Sequence, residues 1–62
     1  MQGTVKFFNN SKGFGFIKPD DQSADIFVHS TGLKGQVREN DKVRYEVQQG
    51  KRGLQAVNVE VI

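Results

Sequence analysis

Two short stretches, KGFGFIK (Lys12–Lys18) and DIFVH (Asp25–His29), hold most of the residues with chemistry to offer. Phe14, Phe16 and Phe27 alternate with small or aliphatic residues and stand near lysines and a histidine. That set suits stacking flat ligands and neutralising phosphates. It is poorly suited to making or breaking bonds. His29 is the only histidine and no cysteine accompanies it, so no metal site is expected. Asp25 and His29 are four apart; on an extended strand they share a face but sit roughly 13 Å from each other, beyond the ~3 Å that a base and its orienting partner need. GFGFIK departs from a dinucleotide fingerprint at Lys18, and no lysine is followed by Ser or Thr to close a phosphate loop. The expectation is a protein that is not an enzyme, with no cofactor and no small-molecule substrate.

Elements able to position these residues follow from a hydrophobic period of two along most of the chain, interrupted by glycine and polar clusters about every ten residues. Five strands are predicted: about Gly3–Asn9, Gly13–Lys18, Asp25–His29, Lys42–Gln48 and Leu54–Val61. NNSK and PDDQSA form the first two turns, and the hairpin GKRG (Gly50–Gly53) joins the last two strands. Alternation places Phe14, Phe16 and Lys18 on one face of the second strand, and Gly13, Gly15 and Ile17 on the other. A small barrel has one face inside. Val5, Ile17, Ile26, Val28, Val43, Val47 and some of Val57, Val59 and Val61 are enough aliphatic residues to fill it, which leaves the phenylalanines outside. Glycine in the second strand, which weakens a strand by about 0.5 to 1 kcal/mol, is then explained as room for close backbone approach on the inner face.

A chain of 62 residues allows one domain, residues 1–62, near the lower size limit for a core without staples. No apolar run approaches the ~18 residues of a membrane span, and MQGTVKFF lacks the pattern of a signal peptide, so a cytoplasmic protein is expected. The formal charge is only +2. Its distribution says more: residues 1–18 carry Lys6, Lys12 and Lys18 without an acid, whereas Asp20, Asp21 and Asp25 follow directly after Pro19.

KGFGFI (Lys12–Ile17) and DIFVH resemble the two ribonucleoprotein motifs of the cold-shock domain. GTVKFFN (Gly3–Asn9) is similar to that family's opening strand and GLQAVNV (Gly53–Val59) to its closing one, so the resemblance spans nearly the whole chain. It implies an all-β fold, a five-stranded antiparallel Greek-key β-barrel of the OB-fold class, that binds single-stranded RNA and DNA with little sequence preference and acts as an ATP-independent RNA chaperone. A monomer is the expected state. By the same resemblance the stacking positions are Phe7, Phe14, Phe16, Phe27 and His29, and the polar contacts Lys6, Lys12, Asp25 and Gln55, with Arg52 a weaker candidate.

Phe7 stands where the family usually has tryptophan. Strict alternation would turn it inward with Val5, so an outward Phe7 requires a bulge or strong twist in the first strand. Ser30 replaces a common aromatic, and STGLKGQVREN is short and carries no ring, which implies a reduced footprint. Leu54, where the family often has proline, is expected to alter only the entry to the last strand. The alternative is a barrel of the same fold that docks on ribosome or RNA polymerase surfaces through Phe14, Phe16 and Phe27.

Overall fold

The computed structural model describes residues 1–50 and 53–62. Its strands are β1 (Gln2–Asn9), β2 (Phe14–Pro19), β3 (Ile26–His29), β4 (Lys42–Gly50) and β5 (Gly53–Val61), with one 3-10 turn at Ser30–Gly32. They close in the order β1-β2-β3-β5-β4. The five strands expected from alternation are all present, with ends shifted by a residue or two. Lys51 and Arg52, at the tip of the expected GKRG hairpin, lie outside the described residues.

Antiparallel pairing holds at four seams, and the fifth, β3 with β5, is parallel. A ring with an odd number of strands cannot alternate direction all the way round, so one parallel seam is the minimum for closure. It is short, with Phe27 opposite Gln55 and Val28 opposite Ala56.

The core consists of Val5, Ile17, Ile26, Val28, Val37, Val43, Tyr45, Ala56 and Val59, with Phe8, Leu33 and Val47 packed against it. Inward Val5, Ile17, Ile26, Val28 and Val43 follow the expected alternation. The last strand departs from it: Val59 is buried, Val57 half-buried and Val61 exposed, while Ala56 is fully buried. The cause is a bulge. Arg44 pairs with Glu60 but Glu46 with Val57, so β5 carries an extra residue, and Asn58 there adopts a left-handed φ of 53°. Asn58 Nδ2 donates to Glu46 Oε1 at 3.2 Å, and the phase of the strand shifts so that Ala56 and Val59 both face in. Burial pushes the Tyr45 phenol up from its usual pKa, with Asp21 and Asp20 adding to the effect.

Candidate nucleic-acid interface

The outer face of β1, β2 and β3 takes its shape from a second bulge. Val5 pairs with Ile17, but it is Phe7 that pairs with Phe16, so Lys6 is the additional residue. Lys6 and Phe7 are therefore both exposed, between buried Val5 and the half-buried, core-packed Phe8. This is the bulge that an outward Phe7 requires. Gly15 makes it possible: it pairs with Phe8, and a Cβ there would collide with the Phe7 carbonyl oxygen and lie 2.7 Å from the Phe8 ring. Gly13, expected as the first residue of the strand, instead lies in the preceding turn at φ 75°, a conformation that glycine adopts without strain. Its carbonyl accepts from the Ser30 amide at 2.8 Å, tying that turn to the end of β3.

Four rings meet on this face in a closed circuit. Phe7 and Phe14 have centroids 6.3 Å apart, Phe14 and Phe27 6.0 Å, Phe27 and Phe16 5.9 Å, and Phe16 and Phe7 5.6 Å. Phe14 and Phe27 are nearly parallel, at 21°, whereas the Phe7–Phe14 and Phe16–Phe27 contacts are edge-on. Phe7 is the most open of the four at 38% exposure, the others being half-buried against one another. His29 extends the face at one end, opposite Phe14 in the β2–β3 register and exposed. Gln55 borders Phe27 across the parallel seam and is half-buried.

The charged candidates do not all stand alike. Lys6 Nζ donates to Asp25 Oδ2 at 2.9 Å, joining two of the expected polar contacts in one exposed ion pair at the bulge. Asp25 itself precedes β3 rather than opening it. Lys12 is exposed in the β1–β2 turn, where its amide donates to Asn9 Oδ1, and Lys18 is exposed on β2; among the described residues neither ammonium has an ion-pair partner. Phe7, Phe14, Phe16, Phe27, His29, Lys6 and Asp25 are thus gathered on one side, with Gln55 at its margin and Lys12 at the turn.

One feature beside the rings had no sequence signal. Phe16 and Phe27 also line a mostly apolar groove of about 460 Å³, together with Met1, Ile26, Val47 and Leu54. Leu54, expected only to alter the entry to β5, is exposed there. A groove built from strands distant in sequence cannot be read from the periodicity of any one of them.

A closed five-stranded barrel with this topology is a barrel of the oligonucleotide-binding class, and its outer aromatic face lies on the strands that carry the two motifs. Residues 1–62 match the 'Cold-shock' DNA-binding domain, and the chain belongs to that family. The major cold shock protein of Micrococcus luteus is 54% identical over 61 aligned residues, covering 92% of this chain and 91% of its own. The cold shock-like protein CspG of Escherichia coli is 51% identical over 63, covering 95% and 90%. A solved structure of drosophila Unr CSD456 superposes with a TM-score of 0.79 at 28% identity, covering 98% of this chain and 26% of that one. The family is nucleic-acid-binding and non-enzymatic, so the protein binds nucleic acid and is not an enzyme. No helix among the described residues is long and apolar enough to cross a membrane.

Proposed function

We propose that the protein binds single-stranded RNA and DNA as a monomer in the cytoplasm. It holds unstacked bases on Phe7, Phe14, Phe16, Phe27 and His29 with little sequence preference, and acts as an ATP-independent RNA chaperone. The observation that carries this is ring spacing. Neighbouring rings lie 5.6 to 6.3 Å apart, whereas bases in one strand of a helix rise by about 3.4 Å. A base seated on each ring is therefore separated from its neighbour, a geometry open to a stretched single strand and closed to a duplex. Stacking contributes about 1 to 3 kcal/mol per base, which must offset the ordering of the strand and its lost translational freedom. A ligand that binds only the open strand shifts the pairing equilibrium by mass action, so melting needs no ATP. Lys6, Lys12, Asp25 and Gln55 supply polar contacts around the rings.

The test is an amide chemical-shift titration with a short oligothymidine and, separately, with a stable duplex. Shifts at β1, β2 and β3 with the single strand, saturating at about four to six nucleotides, and none with the duplex are expected. Equal response to both would overturn the proposal, and a face that no oligonucleotide perturbs would favour protein docking instead.

A further inference from the structure

We propose that Thr31 is a positioning residue that sets the tautomer of His29, so that the imidazole presents an Nε2–H donor to the phosphodiester running beside the stacked bases. The proposal rests on the single-strand platform above. Its geometric basis lies at the end of β3. The backbone amide of Thr31 donates to His29 Nδ1 at 3.2 Å, and Thr31 Oγ1 lies 3.1 Å from the same nitrogen. An amide N–H can only donate, so Nδ1 is an acceptor and carries no proton. In a neutral imidazole the proton then sits on Nε2, and the Thr31 hydroxyl is left to donate to Nδ1 as well. Nε2, across the ring, has no hydrogen-bond partner among the described residues, and His29 is exposed.

The direction of that donor decides what it reaches. A base stacked on the imidazole meets the face of the ring, whereas the Nε2–H bond lies in the ring plane. It therefore points sideways from the stack, towards whatever runs alongside it, and in a bound strand that is the sugar-phosphate backbone, with phosphate oxygens as strong acceptors. His29 thus does two jobs at right angles: its face stacks, and its edge holds the backbone. The opposite tautomer would present a lone pair at Nε2 and repel a phosphate oxygen. Thr31 disfavours that tautomer through both groups: Nδ1–H would be set against the Thr31 amide, and the hydroxyl would have to give up its donation to Nδ1.

The tautomer is read from the NMR shifts of the two imidazole nitrogens, which distinguish a protonated nitrogen from an acceptor. Free wild-type protein should show a protonated Nε2 and an acceptor-type Nδ1. Thr31→Val, which keeps shape and the amide but removes the hydroxyl donor, should raise the Nδ1–H population and weaken oligothymidine binding by about threefold, the scale of one net hydrogen bond. Thr31→Ser should restore both. His29→Phe, which keeps a flat ring without an N–H, should lose affinity for an all-phosphodiester strand. That loss should vanish when the one linkage beside His29 is a neutral methylphosphonate.

A predominant Nδ1–H tautomer in the wild type would overturn the inference. So would a Thr31→Val or His29→Phe loss that persists with the methylphosphonate at every position. If wild-type protein bound no oligonucleotide at all, the platform itself would be refuted; intact binding with the wrong tautomer would refute only the role of Thr31.

Discussion

The outer faces of β1–β3 and of β4–β5 cover the same core, yet they are furnished in opposite ways. On the first, four phenylalanines and His29 stand outward, and at the margins are Lys12 and Lys18, which have no ion-pair partner among the described residues. On the second, polar side chains pair across the surface, Arg44 with Glu60, Lys42 with Asp20 and Asn58 with Glu46, and the exposed apolar residues, Leu54 and Val61, are aliphatic. Strand propensity favours aromatic residues on any strand, so propensity alone does not explain their confinement to one face. Leaving a phenylalanine half in water forgoes part of the ~1.5 to 3 kcal/mol of full burial. The edge-on and tilted contacts among the rings offset some of that, at about 0.5 to 1.5 kcal/mol per pair. What remains unsatisfied is apolar surface available to a ligand. The exposed apolar residues of the paired face, Leu54 and Val61, present no flat ring on which a base could stack.

The sharpest way to break the contrast is to compare a ring with the core residue beneath it. Ile17→Ala, in a fully buried site, should destabilise by about 2 to 5 kcal/mol, enough to unfold much of a small domain. Phe16→Ala, one residue away, should weaken single-strand binding by about 1 to 3 kcal/mol and change the urea midpoint less than Ile17→Ala. If Phe16→Ala unfolded the protein as readily as Ile17→Ala, the rings would be structural and the two faces would differ only in composition.

Enlarging the aromatic face should sharpen the same contrast. Ser30 sits against Gly13, whose added Cβ would lie 3.1 Å from Ser30 Oγ, beside the end of β3 that carries His29. Ser30→Phe should add one stacking position and tighten binding by no more than about 1 to 3 kcal/mol, with a footprint longer by one nucleotide. Unchanged affinity for strands of increasing length would remove Ser30 from the border of the site.

Much of this division was legible because it rests on alternation, which strands obey wherever they are regular. The outward Phe14, Phe16 and Phe27 and the inward Ile17, Ile26 and Val28 follow from it directly. The conflict between Val5 and Phe7, both required to perform opposite tasks two residues apart, even announced the bulge at Lys6. The bulge at Asn58 gave no such conflict, because Val57, Val59 and Val61 all looked fit for the core; only the left-handed Asn58 breaks their phase. Val37 reaches the core from an irregular connection, where period carries no information. The Lys6–Asp25 pair joins residues nineteen apart, a juxtaposition set by strand register rather than by local pattern. The parallel seam needed no residue signal, since five strands in a ring dictate it.

That ion pair lowers the electrostatic expectation for the aromatic face. With Lys6 engaged by Asp25, Lys12 and Lys18 are the described lysines on these strands that can release counterions at no cost in broken pairs. The logarithmic salt dependence of single-strand affinity should therefore have a slope of about −1 to −2, at ~0.7 per phosphate contact, and Lys12→Gln should reduce it by about 0.7. A slope steeper than about −5 would mean that charge rather than stacking dominates, and the two faces would then differ less than their furnishing suggests.

The paired face has the smallest predicted effect, and it concerns acid. The Arg44 guanidinium beside Glu60, by its hydrogen bond first and its charge second, holds that carboxyl below its ordinary value of 4.5. A carboxyl whose folded value is depressed adds stability that is complete above the unfolded value and is lost as pH falls through the folded one. Asp21, lowered by the hydroxyl and amide of Ser23, has the same sign. Stability should thus be flat from neutral pH down to about 5 and decline below about 4, modestly, because both carboxyls are exposed and solvent screens them. Glu60→Gln should flatten part of the acid decline in urea midpoints measured at low salt, and added salt should shrink the difference between variant and parent. Oligothymidine affinity at neutral pH should not change, since Glu60 faces away from the rings. An acid limb identical in Glu60→Gln and the parent would mean that the Arg44–Glu60 pair does not persist in solution, and loss of binding in the same variant would show that the two faces are coupled through the barrel wall.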